Sequence, residues 1–171
     1  MHRFEDSLTV ERFWSAGLDR WLRTRYVVRN ATQNEEWSGI DRFVSDSRGE
    51  CSIDYKCCQE ARKTENAFIE TVSNDITERP GWALTSKADW ILYFVVPHEA
   101  LFLRTLRLRD ELGNWLRYPT GSALNRDYST TGLLVPLPVV RALSEFISSP
   151  RTGEPPVLTR NVVDQLKLPF S

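Results

Sequence analysis

The sequence predicts an α/β fold with a mixed β-sheet flanked by helices, and three observations predict it. A stripe of apolar residues at helical spacing opens the chain, four short β-like runs follow it, and a second helical stretch comes after them. In a chain of 171 residues with 41% hydrophobic content, that order describes one sizeable core, with helices packed on a sheet.

Leu8, Glu11, Trp14, Leu18, Trp21 and Leu22 recur at three- and four-residue steps, which predicts an amphipathic helix over 8–25 with Ser7 placed to cap it. Glu11 stands at the centre of that stripe, a carboxylate among large apolar side chains. Residues 30–38 are polar and turn-prone. Residues 40–45 and 51–56 read as two short strands joined by the reversal Asp46-Ser47-Arg48-Gly49, a hairpin. Residues 67–73, with β-branched Ile69, Thr71 and Val72, predict a third strand. The near-continuous apolar run 90–96 predicts a fourth in a buried position, ended by Pro97. A further strand over 100–105 leads into a helix over 106–117 that stops before Tyr118-Pro119. Residues 133–135 read as a short strand, and Pro138 suits the first turn of a helix running to Phe146. The domain is therefore expected over 1–147. Residues 148–171 form a Ser/Pro/Gly/Glu linker and a short last helix capped by Thr159, carrying Val162, Val163 and Leu166.

Several function classes are excluded by composition. The eight glycines form neither GxGxxG nor GxxxxGK[ST], so dinucleotide and P-loop nucleotide binding lack their signatures. His2 and His98 are the only imidazoles, which disfavours a Cys/His zinc site and leaves a Ser-His-Asp triad dependent on one residue. Cys51, Cys57 and Cys58 have neither disulfide-framework nor metal-ligand spacing. No stretch approaches the roughly 20 apolar residues that cross a bilayer, and no basic, then apolar, leader is visible. A cytoplasmic protein with no membrane partner is the expectation. The formal net charge of -1 argues against bulk coating of nucleic acid, but not against a site that concentrates carboxylates beside a local basic surface.

Alternation along 52–56 puts Asp54 and Lys56 on one face of a strand and Ile53 and Tyr55 on the other, and the hairpin brings Asp41 opposite. Two carboxylates suit Mg²⁺, which keeps several waters. A neighbouring lysine orients or helps to deprotonate an attacking water, so the set has the parts that phosphodiester hydrolysis needs. An Asp-x-Lys tripeptide alone carries little weight. This one ends a predicted strand, lies thirteen positions after Asp41, and uses one of only four lysines.

From Gly39-Ile40-Asp41 through Ile53-Asp54-Tyr55-Lys56 to the runs 66–70 and 88–94, the chain resembles the PD-(D/E)XK nuclease superfamily, which includes restriction endonucleases and Holliday-junction resolvases. The resemblance implies a restriction endonuclease-like αβββαβ core. It makes Asp41 and Asp54 the metal-binding acids and Lys56 the catalytic lysine; Ile40 stands where the family name has proline. Many members use an acid on the first helix, which makes Glu11 a candidate for the same cluster, and Glu70 at the end of the third strand is a candidate addition to the metal shell. Arg104, Arg107, Arg109 and Arg117, with Arg126 beyond them, form a local basic excess suited to gripping phosphates. The expected activity is an Mg²⁺- or Mn²⁺-dependent endonuclease acting on DNA, with a homodimer as the assembly suited to cutting both strands. The alternative is the same fold used as a nucleic-acid-binding or assembly module without catalysis.

Overall fold

The computed structural model describes residues 4–125 and 127–160, with side chains from residue 13 onward. The elements in chain order are α1 (Phe4–Leu22), β1 (Val27–Asn30), α2 (Gln33–Trp37), β2 (Arg42–Asp46), β3 (Gly49–Cys58), α3 (Ala61–Thr64), β4 (Asn66–Asn74) and β5 (Arg79–Pro80). They continue with α4 (Trp82–Thr85), β6 (Trp90–Val95), β7 (Glu99–Arg104), α5 (Thr105–Trp115), β8 (Thr120–Leu124), β9 (Ser129–Pro136), α6 (Leu137–Leu143) and β10 (Phe146–Ser148). The fold is mixed α/β. Its central sheet runs β1-β2-β3-β6-β7-β10, with β3 and β6 parallel and the other neighbours antiparallel. No described helix is long and apolar enough to cross a membrane.

The expected hairpin forms around Ser47 and Arg48, with Asp46 paired to Gly49. Two apolar layers lie on either side of the central sheet. On one, Leu18, Trp21 and Leu22 of α1 pack on Ile53, Tyr55, Trp90, Leu92 and Phe94. On the other, Ile91, Tyr93 and Val95 meet Leu108, Leu112 and Trp115 of α5 together with Ala67, Ile69, Leu133 and Val135. Strict alternation along β6 divides it between the two layers.

The strand expected over 67–73 exists as β4, but it does not join the central sheet. It pairs with β9 in a separate antiparallel sheet, β5-β4-β9-β8. The reason is local fit: Gly132 lets the β9 backbone pass so close to β4 that a Cβ there would lie 2.7 Å from the Ile69 carbonyl oxygen. The place beside the hairpin is taken instead by β1, whose mostly exposed residues gave no strand pattern. The turn-prone stretch contains α2, closed by a capping box in which Glu35 Oε2 accepts the Thr32 N–H at 2.7 Å.

The helix expected to run to Phe146 stops at Leu143. Phe146 opens β10, opposite Phe102 on β7 and stacked 5.8 Å from Trp90. The segment after it is anchored to the domain. Trp21 Nε1 donates to the Gly153 carbonyl at 2.8 Å, the Tyr26 hydroxyl to Pro156 at 2.7 Å, and Trp90 Nε1 to Thr159 at 2.9 Å. The expected helix beyond Thr159 lies outside the described residues.

Candidate metal centre between two sheets

The β2–β3 register ends at Arg42 paired with Ile53, and Asp41 precedes β2, close enough to Asp54 for its charge to act on that carboxyl. The regular ladder is interrupted there: the Asp41 N–H donates to the carbonyl of Ile53, already the partner of Arg42, at 2.9 Å, while the Asp41 carbonyl accepts from Ala31 on the other side at 3.0 Å. Asp41 Oδ2 accepts the Tyr55 N–H at 2.7 Å. Ile53 and Tyr55 turn towards α1, so Asp54 and Lys56 turn to the opposite face, where Lys56 Nζ lies 2.6 Å from Asp54 Oδ1. The cluster sits on a face of the central sheet, inward from its edges, because β3 runs between β2 and β6.

Asp54 is 1% exposed. Burial pushes its carboxyl up to about 7; the Lys56 ammonium opposes the rise and the Asp41 charge adds to it. The hydroxyl of Ser86, beside it, donates to the Gly39 carbonyl at 2.9 Å. Asp54 Oδ2 is left buried with no hydrogen-bond partner among the described residues. Gly39 is required at this contact: its φ is +73°, and a Cβ would stand 2.8 Å from Ser86 Cα.

The far wall comes from the second sheet and α4. The Trp82 ring lies 5.6 Å from Lys56 Nζ, and the Trp82 N–H donates to Glu70 Oε1 at 3.3 Å. Burial raises the Glu70 carboxyl, against the Trp82 N–H and then the charges of Lys56 and Arg79. Gly81 makes this wall possible, since a Cβ on it would stand 2.4 Å from the Glu70 carbonyl oxygen. Gly81→Ala is therefore expected to destabilise the protein by about 2 kcal/mol through overpacking. The melting temperature falls by roughly 4–8 °C in a thermal scan; an unchanged midpoint would show that β4 and α4 can separate freely.

Two neighbouring carboxylates, one with a buried oxygen that no described residue hydrogen-bonds, are hard donors that fit a divalent cation such as Mg²⁺ or Mn²⁺, which binds through one or two carboxylates and keeps its waters. Among the described residues no three His, Cys, Asp or Glu side chains converge as a metal shell. Glu70 accordingly stands against Trp82 and Lys56, apart from the aspartate pair. The side chain of Glu11 lies outside the described residues, as does Arg126.

The four arginines each meet a protein group, and Arg104 and Arg107 share Glu145. Arg104 stacks 3.8 Å over Trp90 and donates to the Thr159 carbonyl at 2.7 Å, while Arg107 stands 3.7 Å from Glu145. Arg109 donates to the Ser86 carbonyl at 2.7 Å, holding α4 beside Asp54, and Arg117 donates to the Tyr118 hydroxyl at 3.2 Å. Arg104 and Arg109 thus hydrogen-bond backbone carbonyls within the fold. Cys57 and Cys58 pack on opposite layers, as small filler.

Sequence reasoning passed over Asp19. It is 6% exposed and lies on the helix side of the sheet, where Arg42 Nε donates to its two oxygens at 2.9 and 3.0 Å and the Tyr55 hydroxyl donates to Oδ1 at 2.9 Å. The signal was the one that marked Glu11, an acid bordering the apolar stripe of α1.

No protein-family model matches the chain, and comparisons with curated proteins and with solved structures find no match either.

Proposed function

We propose that the protein is an Mg²⁺- or Mn²⁺-dependent endonuclease of the PD-(D/E)XK type that hydrolyses phosphodiester bonds in DNA. The observation that carries this reading is Asp54: a buried carboxylate with one oxygen on Lys56 and the other without a hydrogen bond among the described residues, near enough to Asp41 to feel its charge. A buried acid left in that condition is costly unless a cation completes it. The order α1, β1, β2, β3 and then β6 parallel to β3 supports the restriction endonuclease-like reading, with β4, β5 and α4 inserted in the crossover.

Asp41 and Asp54 would hold the cation, which supplies Lewis-acid polarisation of the phosphate when bound. Lys56, pinned by Asp54 and half enclosed by Trp82, holds its ammonium where it can orient a water and meet the charge that develops on the phosphate. Glu70 limits where that ammonium can move.

The test is cleavage of labelled duplex, branched and single-stranded DNA, and of RNA, with Mg²⁺, with Mn²⁺ and with EDTA. Cleavage of DNA that needs the cation and disappears in Asp41→Asn is the expected result. Cleavage that survives EDTA overturns the reading. Tight binding without cleavage in either metal would leave a nucleic-acid-binding module.

A further inference from the structure

We propose that Asp19 is a positioning residue for the metal-binding pair, acting through Arg42 and Tyr55. The inference rests on the metal-centre reading above. Tyr55 follows Asp54 on β3 and so projects to the opposite face, and Arg42, which opens β2 directly after Asp41, places its guanidinium 5.5 Å from the Tyr55 ring. Both find Asp19 there. Arg42 Nε grips both oxygens of Asp19 at 2.9 and 3.0 Å, and the Tyr55 hydroxyl donates to Oδ1 at 2.9 Å.

The contacts then return through the sheet to Asp41. Arg42 Nη1 donates to the Asp41 carbonyl at 2.8 Å, and the Tyr55 backbone N–H donates to Asp41 Oδ2 at 2.7 Å. Asp19, Arg42, Asp41 and Tyr55 therefore close a ring of hydrogen bonds that crosses the sheet. Packing alone does not require it, because a buried ion pair is often replaceable by apolar side chains without loss of stability. The ring instead fixes the start of β2 against β3 at the step where the Asp41 carboxylate meets the Tyr55 N–H, one residue from Asp54. Partners behind metal-binding groups typically govern affinity by 10- to 100-fold.

Mn²⁺ titration by calorimetry, with electron paramagnetic resonance of the bound ion, tests this on the full chain. Asp19→Asn keeps the volume but loses the charge that holds Arg42, and it is expected to weaken Mn²⁺ binding by about 10-fold or more while circular dichroism stays unchanged. Tyr55→Phe, which keeps the ring and the backbone donor, weakens binding by a smaller factor. In an Asp41→Asn background the Asp19→Asn effect is expected to shrink, because the group being positioned is gone. An equal loss in both backgrounds would mark Asp19 as merely structural and overturn the proposal. So would wild-type affinity in Asp19→Asn, or in Tyr55→Phe should Asp19→Asn not fold. If Asp54→Asn weakens Mn²⁺ binding while both of these variants bind normally, the metal centre stands and the positioning role falls. If the wild-type chain binds no Mn²⁺, the metal-centre reading fails and takes this one with it.

Discussion

Asp54→Asn is expected to stabilise the metal-free protein at neutral pH and to abolish metal-dependent cleavage. Burial holds the Asp54 carboxyl at about 7 in the folded chain, well above its value near 4 when unfolded. The folded state therefore keeps a proton that the unfolded chain releases, and the metal-free fold loses stability as pH rises from about 4 to about 7. That loss is on the order of 4 kcal/mol at alkaline pH. Asparagine never ionises, so it escapes the loss, although its buried amide must still find partners. A net gain of about 2 kcal/mol at pH 8 corresponds to a melting temperature raised by roughly 4–8 °C. The gain should vanish near pH 4, where the wild-type carboxyl is protonated in both states. A variant less stable than wild type at pH 8 would show that Asp54 is an ordinary ion-pair partner of Lys56.

Lys56→Ala is expected to separate binding from turnover. Lysine donates no ligand atom to a cation, so Mn²⁺ binding survives. Cleavage falls by about 10²–10³-fold, because the developing negative charge loses its fixed partner. The distance of 2.6 Å to Asp54 Oδ1 adds a second effect. Lys56 is what opposes the rise of the Asp54 carboxyl, so without it the acid keeps its proton to higher pH and the onset of Mn²⁺ binding moves up in pH. Titrations across a pH series, paired with single-turnover cleavage, check both parts. Loss of Mn²⁺ binding at every pH would make Lys56 a structural support for Asp54, and undiminished cleavage would remove it from the chemistry.

What could be read from the sequence was what depends on near neighbours. Apolar spacing marked α1, the stop before Tyr118-Pro119 bounded α5, turn residues marked the β2–β3 hairpin, and alternation over residues 52–56 placed Asp54 and Lys56 on one face. The hairpin brought Asp41 to β3, but its contact there, a carboxylate accepting the Tyr55 N–H at an irregular step of the ladder, was not legible. Residues 67–73 were recognisable as a strand, but the sequence did not say which strand they join. Their partner β9 lies some sixty positions away, and the choice turns on how closely two backbones can approach at Gly132. Likewise β1 is short and mostly exposed, and a strand without a buried face leaves no alternation to detect. The arginines illustrate the converse limit. Composition shows a basic cluster, yet whether a guanidinium meets solvent or the Ser86 carbonyl depends on packing between α4 and α5.

All six residues of β6 are buried, and they alternate between the two apolar layers. Neither layer can be lost alone, because withdrawing α1 would strip Trp90, Leu92 and Phe94 from the same backbone that carries Ile91, Tyr93 and Val95. Unfolding is consequently a cooperative event that takes both layers together, with no peeled intermediate in which one sheet persists. Asp54 is paired in register with Ile91 on that shared strand. Its amide therefore belongs to the slowest class of hydrogen exchange, opened to water only when the whole domain opens.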